Sequence, residues 1–514
     1  MLATDERASI ESSHRDSRRR GWILAGCALL LYFVLSIGYS FTRQPWWDEG
    51  VFADVAVNFR NHGHLGSTTL YSYGYLELPA ANRYTYWQFP LYLVALGYWF
   101  RLVPVTIEWM RLFSVCWGAV YVIAWFFFLR AITRNESISL LAASVVALDY
   151  SVIGAASDGR MEMMCLALGE VGLAVFAMYR DSEWSKAFFV GACCGAASLL
   201  CHPMGLVTNA CMAVLVLMDW RRLRLNGVLL AALAYLIAGA VCIWYIWQAP
   251  DIFHAQSEAA SAYRVSGAPS VVRNVVNDLY IRYFYLYFFG IRGIFKLKAA
   301  SLLFALLGCV GAISNRRLRS RLIVKVLLCQ AIVAYILVAA LDNQKFPIYF
   351  VYTLPIMSAC AAVWVYDEWS RSNVRRFFAT SLLIASLLAG VGGFAYKIKQ
   401  NEYAGIYAPA IDAIKVGLKP GGIVMGGSEL GFALGFTPHL VDDRYLGYFS
   451  GKRPDVYVEN QYYGGMGAGK LGEAWTASRA ELASDYHLIF QNRGYRVYVR
   501  NSSQSRIEEL HVLY

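Results

Sequence analysis

The sequence predicts an α-helical polytopic membrane protein with about 11 transmembrane helices, outer juxtamembrane helices and a small C-terminal extracytoplasmic α/β domain. Three observations carry that reading. Of 514 residues, 58% are hydrophobic and only 16% are charged, whereas soluble proteins carry about 25% charged residues. Eleven apolar runs approach the roughly 20 residues that a helix needs to cross a hydrocarbon core about 30 Å thick. Beyond Tyr396 the composition turns Gly-rich and mixed, with short runs of strand-like and helix-like periodicity. This apolar content excludes a disordered chain. The 11 cysteines lie in or beside apolar runs, with no CxxC or Cys/His spacing, and read as packing residues rather than disulfides or zinc ligands.

The elements follow in order. Residues 1–20 form a cytoplasmic tail ending in Arg18-Arg19-Arg20. The catalytic membrane domain, 21–396, holds apolar runs near 21–41, 107–130, 137–155, 162–179, 186–201, 203–219, 226–248, 297–313, 322–341, 347–366 and 377–396. The first is full length and lacks a small-residue cleavage site, so it reads as an uncleaved signal-anchor. With the N-terminus inside, Arg221–Arg224, Arg316–Arg321 and Arg375–Arg376 all fall in cytoplasmic loops. That distribution accounts for the net charge of +11 without nucleic acid. The stretch Pro90–Leu102 is too short to span, and crossing there would move every later basic cluster outside. It is expected as a juxtamembrane or re-entrant helix on the outer side. Within 397–514, strands are expected at Ile423–Met425, Asp455–Glu459, His487–Phe490 and Val497–Arg500, and helices at Tyr407–Val416 and Ala474–Ala483.

Ionisable residues gather at the predicted outer ends of the spans. Trp46-Trp47-Asp48-Glu49-Gly50 follows the first span. The tryptophans suit a membrane interface, and Asp48 can either cap an amphipathic helix Val51–Asn61 or act as a general base. Ser157-Asp158-Gly159-Arg160-Met161-Glu162 sits at a span boundary, where Arg160 can pair with either acid. His202-Pro203 lies at a helix terminus. Asp342 to Tyr349 precedes the tenth span, where Lys345 can snorkel or bind a lipid phosphate, with Tyr349 donating a hydrogen bond. Arg264, Arg273, Arg282 and Arg292 add cations to a long outer loop, against the positive-inside trend. Asp149 and Glu170 are the main acids inside spans. A transporter would place ionisable groups at mid-span and show inverted repeats. The observed distribution favours interfacial chemistry on a lipid-linked substrate.

These residues, in this order, resemble the GT-C membrane glycosyltransferases, the group containing protein O-mannosyltransferases and the lipid A aminoarabinose transferase. The resemblance covers about 21–366 and rests on Trp47-Asp48-Glu49, Phe89-Pro90-Leu91-Tyr92, Arg111-Leu112-Phe113-Ser114, Arg160-x-Glu162, His202-Pro203-x-Gly205 and Lys345…Tyr349…Pro355. Gln88-Phe89 stands where the family commonly has a His before the Pro. The resemblance implies an inverting transferase that moves a hexosyl or pentosyl group from a polyprenyl-phosphate carrier to an acceptor hydroxyl on a lipid, glycan or protein. It would lie in the inner (plasma) membrane among membrane lipids, its active site facing the periplasm or exterior. Asp48 would be the base, with Glu49 beside it; successive helical side chains diverge by about 100°, so one of the two faces the acceptor. Asp158 or Glu162 would supply the second acid, Lys345 would stabilise the leaving phosphate, and Arg160, His202, Tyr349 and Arg273 would contact substrate. No cofactor is expected, nor an obligatory divalent metal, since a phosphomonoester leaving group can be neutralised by Lys or Arg. A lipid-linked-sugar flippase and an inactive assembly partner are the alternatives.

Topology is testable directly. In a cysteine-free background, a cysteine at Asn343 is expected to label with an impermeant thiol reagent in spheroplasts, and one at Ser314 is not. The reverse pattern would put the acidic motifs on the wrong side for this chemistry.

Overall fold

The computed structural model describes residues 2–73, 76–265, 271–286, 297–369, 371, 373–443, 445–460 and 472–501. Among them, seven helices are long and apolar enough to cross a membrane: Arg19–Thr42, Ile107–Thr133, Glu162–Tyr179, Trp184–Cys201, Leu225–Trp247, Leu322–Leu341 and Asn373–Gly417. An eighth crossing is a pair, Glu136–Ala147 and Tyr150–Ala156, bent by 57°. The remaining predicted runs are also helical but shorter: Gly205–Met218 with 14 residues, Lys298–Ser314 with 17 and Leu354–Trp369 with 16. The chain is a multi-pass membrane protein. Pro90–Leu102 is a separate helix of 13 residues, as expected.

The chain divides into two compact units, with one division falling between Tyr396 and Lys397. One comprises Met1–Tyr39, Ser114–Cys242 and Ala268–Tyr396; the other comprises Ser40–Phe113, Ile243–Gly267 and Lys397–Tyr514. Residues 397–514 thus group with 40–113 and 243–267.

Among the described residues, the first unit contains helices and no strand. Glu162–Tyr179 packs along Trp184–Cys201 and Gly205–Met218, and Lys298–Ser314 along Leu354–Trp369. Close approach depends on small residues, as expected where lipid supplies no hydrophobic drive between helices. A Cβ on Gly308 would sit 2.1 Å from the Cβ of Ala361. The run 137–155, expected as one straight span, breaks at Leu148. Asp149 caps the helix that follows, accepting from the Ser151 N–H at 2.9 Å and the Ser151 hydroxyl at 2.6 Å, while its other oxygen takes the Ser358 hydroxyl at 2.8 Å. This is what the isolated acid does inside an apolar run.

The second unit holds the sheet. A small antiparallel pair, β1 (Ser72–Tyr73) and β2 (Leu76–Glu77), lies between helices Trp47–His62 and Pro90–Leu102. The main sheet contains β3 (Val424–Met425), β4 (Leu440–Val441), β5 (Val456–Asn460), β6 (Tyr486–Gln491) and β7 (Tyr495–Arg500), in the order β4-β3-β5-β7-β6. β3 runs parallel to β4 and β5, and β7 antiparallel to β5 and β6. Alternation sorts the faces. Val424, Val456, Val458, Val497 and Val499 pack on Ala410, Ile411 and Ile414 of helix Ala408–Gly417. Met425, Val441 and Tyr457 pack on Leu482 of helix Glu473–Asp485. At the β4 edge, Asp442 pairs with Leu70 in a parallel bridge, the Asp442 N–H donating to Thr69 O at 2.8 Å and the Tyr71 N–H to Asp442 O at 3.2 Å.

Gly308→Ala is expected to cost about 1–3 kcal/mol, the range for overpacking a tight interface. A lowered thermal midpoint of the detergent-purified protein would register it, and an unchanged midpoint would contradict so close a helix pair.

Candidate active site

In the second unit, helix Trp47–His62 begins at an extended Trp46 cap and carries the acidic pair in its first turn, where the helix dipole favours negative charge. Asp48 is not the cap of this helix: the cap is Trp46, and the side chain that bonds back to the Trp46 N–H, at 2.8 Å, belongs to Glu49. Glu49 is fully buried, and both of its oxygens face Arg111, which donates from Nε and Nη2 at 2.7 Å each. The other Arg111 donors reach Ser40 O at 2.7 Å, Arg43 O at 2.8 Å and Gln44 O at 3.1 Å. Trp47, Glu49 and Gly50 are buried. Glu49 is thus committed to Arg111, while Asp48 is half-buried. On the same helix, Asp54 is buried and accepts at Oδ2 from the Thr69 N–H and Thr69 hydroxyl, both at 2.9 Å, and from the Ser67 hydroxyl. Burial pushes its carboxyl above the usual range, against the pull of those donors.

In the first unit, two clusters contain the remaining candidates. Arg160 and Glu162 form a pair with nitrogen–oxygen distances of 2.8, 3.1 and 3.2 Å. Glu162 is 1% exposed and Arg160 7%, so this is a buried pair rather than the surface pair that the sequence also allowed. Asp158 is buried beside them in the turn between helices. His202 caps helix Trp184–Cys201, its Nδ1 accepting from the Met204 N–H at 3.1 Å, and its ring centre lies 5.8 Å from that of Tyr349. Glu170 lies two turns along from Glu162 on the same helix, buried beside Trp125 and Tyr352.

The second cluster surrounds Lys345. Its Nζ donates to Asp278 Oδ1 at 3.1 Å and Ala339 O at 3.0 Å. Arg282, wholly buried, reaches Asp278 Oδ1 at 3.1 Å and Asp342 Oδ2 at 2.6 Å. Burial makes Lys345 surrender its proton more readily, which Asp278 opposes, and it raises the Asp342 carboxyl, which Arg282 opposes. Lys345 holds a left-handed backbone with φ 58°, an uncommon conformation for a side-chain-bearing residue. Arg273 is exposed on helix Val271–Asp278, and Arg282 is the cation drawn into the cluster. Arg292 and the side chain of Arg264 lie outside the described residues.

Arg111 stands in one of the quoted motifs but is given no role there, and Asp54, Asp278 and Asp442 carry no clear mark in the sequence. The one available signal was a lone acid, Asp54, on the apolar face of a helix. Among the described residues, no three His, Cys, Asp or Glu side chains converge as a metal site.

The chain shares its fold with solved membrane glycosyltransferases. It superposes on ArnT from Cupriavidus metallidurans bound to undecaprenyl phosphate with a TM-score of 0.59 and 14% identity, over 93% of this chain and 98% of that one. It superposes on the archaeal oligosaccharyltransferase AglB from Archaeoglobus fulgidus, in complex with an inhibitory peptide and a dolichol-phosphate, with a TM-score of 0.54 and 12% identity, over 94% and 74% of the two chains. No protein-family profile and no curated protein matches the sequence. The fold is the ArnT-like GT-C fold.

The two neighbouring acids should separate in a stability assay. Glu49→Gln strands a buried guanidinium and is expected to cost about 3 kcal/mol; Asp48→Asn, at a partly exposed site, should stay within about 0.5 kcal/mol. Thermal unfolding of the two variants side by side checks this, and equal midpoints would refute the division of roles.

Proposed function

We propose that this protein is an inverting glycosyltransferase that moves a sugar from a polyprenyl-phosphate carrier to an acceptor hydroxyl at the outer face of the inner (plasma) membrane. One observation carries the reading: on a GT-C scaffold, the first turn of helix Trp47–His62 commits Glu49 to Arg111 and leaves Asp48 partly exposed. Two structural neighbours, captured with undecaprenyl phosphate and dolichol-phosphate, support a carrier of that class.

The Asp48 carboxylate takes the proton of the acceptor hydroxyl as that oxygen attacks the anomeric carbon. The new C–O bond forms opposite the breaking bond to phosphate, which inverts the centre. The carrier departs as a polyprenyl phosphate monoester, the kind of species the ArnT structure holds. Lys345 meets the growing charge on that phosphate. An ammonium has three donors; two serve Asp278 and Ala339, and the third is offered to a phosphate oxygen. Arg160, held by Glu162, orients the donor together with His202, Tyr349 and Asp158. This scheme requires no metal, because protein cations neutralise a monoester. Lipid, glycan and protein hydroxyls all suit it as acceptors.

Asp48→Asn keeps the shape and removes the base, so donor turnover in membranes carrying the native acceptor is expected to fall at least about 100-fold. Lys345→Met in the same assay should weaken retention of polyprenyl phosphate. Near-parental turnover in the first variant, or unchanged carrier affinity in the second, would remove the corresponding role.

A further inference from the structure

Asp48 is surrounded in sequence by residues that the C-terminal sheet holds in place. The Trp47 indole N–H donates to Asp442 Oδ2 at 2.6 Å. That same oxygen accepts from the Ser428 N–H at 2.9 Å and the Ser428 hydroxyl at 2.7 Å. Asp442 has no exposed surface, and its backbone is the one bridged to Leu70 at the β4 edge. The Ser428 hydroxyl lies 3.1 Å from that of Thr69, which in turn donates to Asp54 on the same helix as Trp47. One residue past the acidic pair, a Cβ on Gly50 would come within 2.2 Å of the Glu429 nitrogen, so only glycine allows the helix to lie this close to the turn Ser428–Leu430.

We infer that Asp442 is a positioning residue for Asp48, acting through Trp47, and that the C-terminal α/β region is part of the catalytic apparatus. The inference rests on the reading of Asp48 as the base. The residue before Asp48 is fixed by Asp442, the residue after it by Arg111, and Gly50 by the Ser428–Leu430 turn. With both backbone neighbours pinned, the Asp48 carboxylate has its own two side-chain torsions left to settle. A loose first turn would let the whole residue shift, and displacements of about 1 Å can cost about 100-fold in rate.

The test is a double-mutant cycle of Trp47→Phe and Asp442→Asn, run beside Asp48→Asn, read as turnover of the native donor in membranes carrying the native acceptor. Trp47→Phe retains an aromatic ring and removes the N–H; Asp442→Asn retains size and removes charge. Each single variant is expected to lower kcat about tenfold or more, with KM for the donor unchanged within about twofold. The double variant should be no slower than the slower single, because both break one linkage. Losses that multiply, or a KM effect without a kcat effect, would overturn the inference. If both singles match the parent while Asp48→Asn is inactive, the positioning role fails and the base assignment stands. If Asp48→Asn is active, both fall. Should Asp442→Asn not accumulate as folded protein, Trp47→Phe alone decides by the same kcat criterion.

Discussion

A guanidinium buried without water must satisfy five N–H donors or destabilise the fold around it. Arg111 does so completely: two donors go to Glu49 and three to the carbonyls of Ser40, Arg43 and Gln44. Those carbonyls lie where the first long helix ends and the chain turns toward Trp47–His62. One side chain therefore ties the carbonyls of Ser40, Arg43 and Gln44 to the first turn of the helix that follows. The acidic pair inherits its geometry from this demand. Glu49 faces Arg111 because the buried cation needs a counter-charge, and the helical step then directs Asp48 elsewhere.

The same economy of charge recurs in the first unit. Two cations and two acids, Arg282, Lys345, Asp278 and Asp342, meet in a cluster that is neutral as a set. Lys345 sits there on a left-handed backbone. Such strain persists where surrounding contacts over-determine it, and here Asp342 accepts from the N–H groups of Gln344 and Phe346 on either side. The loop is shaped to deliver an ammonium to one point. Glycine would suit that backbone better, but it would deliver no charge.

Much of the architecture was legible in the sequence because apolar runs and period-two alternation are local signals. The four expected strands appear with ends displaced by one or two residues, as in Tyr486–Gln491 for His487–Phe490. β4 escaped notice, since two residues, Leu440 and Val441, carry no alternation to read. The break at Leu148 was missed because the apolar run continues through it, and only the hydrogen bonds of Asp149 reveal a cap. For the site, the sequence put Asp48 forward as the base with Glu49 beside it, but could not supply Arg111 as the partner that engages Glu49, because that contact joins residues 62 positions apart. Asp442 was illegible for the same reason: its partner Trp47 lies 395 positions away.

That separation also bears on the order of assembly. The strand-like segment Thr69–Tyr71 and the helix that begins at Trp47 are synthesised early, yet the sheet edge and the carboxylate that receive them belong to β4 and the residue after it. Nearly four hundred residues must be made and inserted before these contacts close, a loop closure of the kind that slows folding. Until then the chain exposes an unpaired backbone edge and an unanchored tryptophan. A stretch synthesised much later thus sets the first turn that carries the acid, and a chain cut short before Ser428 would contain every membrane motif with that turn unanchored by the sheet.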